Sequence, residues 1–364
     1  MGFNCGIVGL PNIGKSTLFN ALTSTSAAEA ANYPFCTIDP NVGRVGVPDE
    51  RLDKLASLAG SQKIIPTQLE FVDIAGLVKG ASQGEGLGNQ FLGHILSVDA
   101  IIHVLRCFED DDITHVNGSV DPLRDLEIIE TELLLADLAS LQKRIPGLEK
   151  RSKQDPEAKE QFAMAQKILP QLENGMQLSK VKWTEEEIEI LKKMNFLTFK
   201  PMLYVCNVSE NDVNTGNEHT KKIESYAQQN FGMSVIISAA IEAEISQLSV
   251  SEQKEFLESL GMVQTGLANI VRAGYELLGL STYFTVGPKE ARAWTIKKGF
   301  KAPQAAGVIH TDFERGFICA ETIAYADYVS CGGELQAKTA GKWRQEGKEY
   351  TVQDGDVINF RFNV

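Results

Sequence analysis

Nine residues near the N-terminus, Gly9-Leu10-Pro11-Asn12-Ile13-Gly14-Lys15-Ser16-Thr17, leave this chain few folds to choose from. They match G-x-x-x-x-G-K-[ST], a loop that cradles phosphate when a strand delivers it and a helix leaves it. Both flanks comply. Phe3 to Val8 is a short apolar run of strand character, and Gly14 to Leu22 carries Leu18, Phe19 and Leu22 on one helical face. Such a loop aims backbone N–H groups and the positive end of a helix dipole at one point, which attracts an anion. Lys15 is then placed to reach the β- and γ-phosphates of a nucleotide, and the Ser16 hydroxyl to hold Mg²⁺. The fold class this predicts is α/β, a P-loop NTPase.

A partner carboxylate is expected at the end of a later strand. Leu69 to Asp73 is apolar and continues as Ile74-Ala75-Gly76, giving D-x-x-G roughly sixty residues past the loop. Asp73 fits the role of holding Mg²⁺ through water, and the Gly76 amide that of approaching the γ-phosphate. Between the two motifs, the proline-flanked run Asn32 to Asn41 contains Thr37, a candidate for Mg²⁺ and the γ-phosphate against the alternative of an ordinary turn. Lys79 to Gly88 holds four glycines, so it reads as a phosphate-sensing switch or as a plain connector.

Ala100 to Leu105 is a further strand, whose His103 reads as a satisfied core histidine. An acidic loop from Phe108 to Val116 follows, read as solvated rather than metal-binding. From about 125 to 198 the period turns helical, with a capping box at Thr184-Glu185-Glu186-Glu187. This is a helical insertion between strands, either a structural elaboration or a docking arm. Strands resume at Pro201 to Cys206 and Met233 to Ile237. They end in Asn207-Val208-Ser209-Glu210 and Ser238-Ala239-Ala240, where GTPases carry N-K-x-D and S-A-K. A guanine clamp needs an aspartate that accepts from N1–H and the 2-amino group. Here the aspartate is Glu210 and the lysine is Val208, and adenine offers neither donor in that place, so base preference is expected to move toward adenine. Residues 244–279 read as helical. The domain boundary is expected at 279, followed by a strand at Ala293 to Ile296, a helix at Ala305 to Phe313, and a terminal hairpin that turns at Gln353-Asp354-Gly355-Asp356.

Composition narrows the function classes. The 364 residues suit two domains. No apolar run reaches the ~18 residues of a membrane span. The N-terminus runs straight into the first strand, so no signal peptide is expected. The six cysteines are scattered without C-x-x-C, as for reduced thiols in the cytoplasm. The net charge is −13, yet residues 281–364 hold 11 basic against 10 acidic residues while the rest holds 24 against 38. Nucleic-acid contact is therefore expected to be local and C-terminal, through Lys289, Arg292, Lys297, Lys298 and Lys301, with Trp294 as a stacking surface or else a core residue.

Taken together, GLPNIGKST, NYPFCTIDPN, DIAGLVKGASQGEGLGNQF, FEDDDITHV, the NVSE string, RAWTIKKG with HTDFERGFI, and DGDVINF resemble the YchF family, the Obg-like ATPases. The resemblance covers essentially the whole chain. It implies a G domain over 1–279 with a coiled-coil helical insertion, and a C-terminal TGS domain of β-grasp, α+β fold over 280–364. It implies hydrolysis of ATP in preference to GTP, association with the ribosome (large subunit, with rRNA contact through the TGS domain), and a cytoplasmic monomer away from membranes. By the same resemblance Asn12, Ile13, Gly14, Lys15, Ser16 and Thr17 bind phosphates, Ser16 and Thr37 bind Mg²⁺ alongside Asp73, and Asn207-Val208, with Glu210 and Ser238 nearby, face the base. Leu77 stands where Ras-like enzymes carry a water-orienting Gln. His115 matches the family's D-x-x-H-V position and is the candidate to place the water, against a structural role. A GTPase of the Obg type and a non-hydrolysing ATP-dependent adaptor are the competing readings.

Overall fold

The computed structural model describes residues 3–30, 42–74, 87–110, 112–116 and 118–363. The chain divides into two compact units. One comprises residues 3–44 and 70–274, the other residues 45–69 and 275–364.

The first unit is built on a sheet of β1 (Asn4–Val8), β2 (Val42–Gly46), β4 (Gln68–Asp73), β5 (Ala100–Arg106), β6 (Met202–Asn207) and β7 (Met233–Ile237), in the order β2-β4-β1-β5-β6-β7. The intervening β3 (Lys63–Ile65) belongs to the other sheet. The pairs β1·β4, β1·β5, β5·β6 and β6·β7 are all parallel. Every residue of β5 and β6 is buried, as expected of central parallel strands covered on both faces. The helices are α1 (Lys15–Ala30), α3 (Leu87–Ser97), α7 (Glu218–Gln229), α8 (Ala239–Ile245), α9 (Val250–Ser259) and α10 (Gly266–Leu277). One core cluster joins Phe91 and Ile95 of α3 and Ile223 of α7 to Ile101, Leu105 and Tyr204 of the sheet. In such a sheet the loops leaving the C-terminal strand ends gather on one side, where ligands bind.

The helical insertion consists of α4 (Pro122–Arg151), α5 (Pro156–Glu173) and α6 (Glu185–Met194). Helix α4 passes from one core into another. Its Leu126, Ile129 and Leu133 pack on the sheet cluster, while Leu141 and Leu148 pack with Ile168 and Leu172 of α5 and Leu191 of α6. Two buried carboxylates fasten its root. Glu130 accepts from Tyr204 Oη at 2.6 Å, Tyr226 Oη at 2.6 Å and Lys180 Nζ at 2.7 Å. Asp137 accepts from the backbone N–H of Leu197 at 2.9 Å and of Thr198 at 2.7 Å, and from the Thr198 hydroxyl. Burial pushes the Asp137 carboxyl up and the Thr198 and Leu197 donors pull it down.

The second unit departs from the expected boundary. Its sheet adds β8 (Leu280–Val286), β9 (Glu290–Lys297), β10 (Phe317–Ala324), β11 (Arg344–Glu346) and β12 (Asp356–Phe362), in the order β11-β10-β12-β8-β9-β3. Strand β3 lies parallel to β9, with Lys63 opposite Glu290. Helix α2 (Glu50–Ala59) lays Leu52, Leu55 and Ala56 against Phe284, Ala291, Ala293 and Val357. Residues 45–69, expected in a domain spanning 1–279, group instead with residues 275–364. The apolar stripe of α2 says that one face is covered but not by what. The opposite face of the sheet holds Tyr283, Ile296, Phe317 and Phe360 against Ala302, Ala305 and Ala306 of α11 (Ala302–Ile309), which is followed by α12 (Thr311–Arg315). Helices α13 (Tyr325–Cys331) and α14 (Glu334–Thr339) complete the unit.

The terminal hairpin does not form. Strand β12 pairs antiparallel with β10 and parallel with β8, and Thr351 makes only an isolated bridge to Lys301. The D-G turn binds β8 instead. Asp354 accepts from Thr282 N–H at 2.8 Å, and Gly355 donates to the Thr282 carbonyl at 2.8 Å.

Candidate functional site

The loop between β1 and α1 takes the shape its glycines permit. Asn12 and Gly14 both have positive φ, 62° and 88°. A Cβ on Gly14 would come within 2.3 Å of Asn207 Nδ2, so glycine is required there for space as well as conformation. Leu18 N–H bonds the Gly14 carbonyl, leaving the amides before it at the helix start without intrahelical partners. Ser16 and Thr17 are exposed, and Ile13 is buried beneath them. Asn12 Nδ2 reaches the Thr114 carbonyl at 3.2 Å, tying the loop to the segment after β5.

Lys15 forms an ion pair with Asp73. The register of β1 and β4, with Ile7 opposite Asp73, explains the meeting: Asp73 ends β4 at the same edge where the loop leaving β1 leads to Lys15, the first residue of α1. Among the described residues no group of three or more His, Cys, Asp or Glu side chains forms a metal cluster. The donor set at hand is the Ser16 hydroxyl and the Asp73 carboxylate, and a cation already lies against that carboxylate. A hard ion of the Mg²⁺ kind, which completes its shell with phosphate and water oxygens, would fit such a set. Thr37, Gly76, Leu77 and the glycine-rich segment to Gly86 lie outside the described residues.

The opposite half of the site is turned inward. Asn207 ends β6 and is 3% exposed. Its Nδ2 donates to the Ile13 carbonyl at 2.8 Å and its Oδ1 accepts from Ala239 N–H at 2.9 Å, so it clasps the phosphate loop to the start of α8. Val208 packs in the sheet core with its N–H on the Ile237 carbonyl, and Ser238 is buried. Glu210 alone of these residues is exposed, opening a single 3-10 turn to Asp212.

His115 is buried, and its Nε2 lies 2.8 Å from Asp125 Oδ2 in the first turn of α4. Arg124 contacts the other oxygen of Asp125 at 3.2 Å. The imidazole therefore faces the root of the insertion. His103 is fully buried, but neither ring nitrogen has a hydrogen-bond partner among the described residues, where a satisfied core histidine was expected. Burial lowers its pKa to about 4, with Glu130 opposing, and keeps it neutral at neutral pH.

Sequence reasoning passed over Arg106. It is 1% exposed at the end of β5 and donates to the carbonyls of Phe108 at 3.1 Å, Ile113 at 2.8 Å and Asp110 at 3.1 Å, with its guanidinium over the Phe108 ring. A lone arginine closing an apolar run was the available signal, since a buried guanidinium must find acceptors. In the second unit, Trp294 is half-buried. Arg292 lies 4.0 Å from its ring centroid, Tyr283 stacks parallel to it, and Nε1 donates to Thr285. A base would stack there only by displacing Arg292. Lys301 is ion-paired with Glu349.

The parallel sheet, the phosphate loop and the Lys15–Asp73 pair define a P-loop NTPase of the GTPase type. A family model described as "50S ribosome-binding GTPase" matches residues 4–134, and the YchF-GTPase_C model, described as "Protein of unknown function", matches 280–363. Proteins named "Ribosome-binding ATPase YchF" from Haemophilus influenzae and Bacillus subtilis are each 56% identical, over 100% of both chains. "Obg-like ATPase 1" of Pongo abelii is 49% identical over 99% of this chain and 92% of its own. The solved structure of the Schizosaccharomyces pombe YchF GTPase superposes with a TM-score of 0.89 at 41% identity, covering 99% of this chain and 98% of that one. The chain belongs to the YchF family.

Proposed function

We propose that this protein is a Mg²⁺-dependent ATPase that prefers ATP to GTP and acts as a nucleotide-dependent switch on the ribosome. The observation that carries the hydrolase reading is the meeting of Lys15 and Asp73 beside the open N-terminus of α1. Ser16 and Asp73, with Thr37 added by the family resemblance, would hold Mg²⁺, which would supply neutralisation of the phosphate charge. Lys15 and the loop amides hold the β- and γ-phosphates in line for attack by water, so positioning and electrostatics supply the rate. The adenine preference is supported by Val208, which is buried and has no ammonium to offer the base, and by the exposed, longer Glu210. The relatives named above carry ribosome binding and ATPase activity in their names, which supports the cellular setting. The reading includes a TGS-type C-terminal module that contacts rRNA of the large subunit, and a cytoplasmic monomer. No helix of the described residues is long and apolar enough to cross a membrane.

His115 enters this reading as the water-placing group. The Asp125 carboxylate at its Nε2 fixes the orientation from which the ring would act. Phosphate release from ATP, with and without Mg²⁺, tests the proposal. Steady turnover that needs Mg²⁺ and drops in His115→Ala at nearly unchanged ATP affinity is expected. ATP bound and released intact would make the protein an adaptor instead.

A further inference from the structure

Asn217 lies in none of the chain's nucleotide motifs, yet its side chain uses all four of its hydrogen-bonding positions. Nδ2 donates to the Cys107 carbonyl at 2.7 Å and to Asp212 Oδ2 at 2.9 Å. Oδ1 accepts from the N–H groups of His219 at 3.0 Å and Thr220 at 3.2 Å. Acceptors on one side and donors on the other leave the amide a single orientation. The Oδ1 pair is a helix cap for α7, a task that aspartate performs equally well. The Nδ2 pair is something else, because capping needs no donor.

Those two donated bonds close a ring around the loop that leaves β6. Asn207 accepts from Cys107 N–H at 2.8 Å, Cys107 accepts from Asn217, and Asn217 donates to Asp212, which also accepts from Ser209 Oγ at 3.1 Å. The loop so enclosed carries Val208 and Glu210. Gly216 makes the approach possible: its φ is +66°, and a Cβ there would lie 2.4 Å from Thr220 Oγ1. Asn207 anchors this loop to the phosphate side, and Asn217 anchors its far end.

We propose that Asn217 is a positioning residue for the nucleobase. It does not touch the nucleotide; it holds the 207–212 loop so that the backbone of that loop meets the base. The inference rests on the ATPase reading above and adds to it the element that sets base affinity.

Asn217→Asp separates the two roles, since it keeps the capping oxygen and turns the donor edge into an acceptor facing Cys107 O and Asp212. ATP affinity should fall roughly tenfold, with kcat at saturation within about twofold of the parent. Tripolyphosphate, which has no base, should bind the variant as it binds the parent. Adding Asp212→Asn returns a donor between positions 212 and 217 and should recover a large part of the ATP affinity. Asp212→Ala, which leaves both the cap and the Cys107 bond in place, should weaken ATP about threefold. Unchanged ATP binding in Asn217→Asp, or equal losses for ATP and tripolyphosphate, would overturn the proposal. So would a double variant no better than the single one. A parent that binds GTP in place of ATP defeats the adenine reading instead, and the same comparison run with GTP still decides the role of Asn217.

Discussion

The two halves of the site are built in opposite ways. On the phosphate side the polar groups face out: Ser16 and Thr17 are exposed, and Lys15 reaches across to Asp73. On the base side the side chains face in: polar Asn207 and Ser238 are 3% and 1% exposed, apolar Val208 is 3% exposed, and the Asn207 amide is spent on Ile13 and Ala239. On the proposed reading, phosphate would be met by charges and loop amides, and the base by backbone braced from behind. The difference teaches where specificity resides. A triphosphate is the same on every nucleotide, so an open cationic loop suffices. Discrimination between bases needs a rigid rim, and rigidity comes from buried side chains.

The strongest way to break this picture is Lys15→Ala. Turnover should drop by roughly a hundredfold or more, because one preorganised charge on the transferring phosphoryl group is lost. The ratio of ATP to GTP affinity should stay as it was. A changed ratio would show that the phosphate side takes part in choosing the base.

His103 lies on β5, between the strands that carry the two halves. Its folded pKa is about 4 against an ordinary 6.5, so the unfolded chain binds the extra proton in that interval. Stability contributed by the neutral ring is therefore present above pH 6.5 and is lost as pH falls toward 4, by about 3 kcal/mol for this group at the lower limit. Denaturant titrations of His103→Leu across pH 4 to 7 should show a shallower acid loss than the parent. The ATP-to-GTP ratio at neutral pH should be untouched. Identical acid slopes in the two proteins would mean that the ring finds a proton acceptor.

Glu210→Asp should have the smallest effect. On this exposed rim it shifts preference toward GTP by roughly fivefold or less, as a single hydrogen bond is re-aimed. Competition between the two nucleotides for the variant measures it. Val208→Lys is the less clean partner change, because Val208 packs in the sheet core and an ammonium there needs a path to water.

The legible and illegible parts of the chain follow the same division. The phosphate loop, Asp73 and the strands of the parallel sheet could be read from sequence because their chemistry is local: a loop between one strand and one helix, a carboxylate at a strand end. The insertion could be read from its period, and α4 to α6 occupy residues 122–194 where residues 125–198 were expected. What could not be read was pairing over distance. Residues 45–69 look like part of the first domain, but the stripe of Leu52 and Leu55 finds its cover on Phe284 and Val357. The D-G turn at Asp354-Gly355 promises a hairpin, but its polar atoms bind Thr282 and Arg51 instead. Arg106 acts on backbone carbonyls, and Asn217 on one carbonyl, two backbone N–H groups and the Asp212 carboxylate, none of which carries a signal in the sequence. His115 was found by its place in a motif, and only the structure adds that Asp125 holds it.

Equilibrium titration of the wild-type protein with ATP and with GTP, each with Mg²⁺, bears most directly on the claim that an open phosphate side is joined to an adenine-preferring rim. The account predicts that both bind and that ATP binds more tightly, by roughly tenfold or more, the value of one well-made hydrogen-bond pattern against a mismatched one. GTP affinity equal to or greater than that for ATP would contradict it.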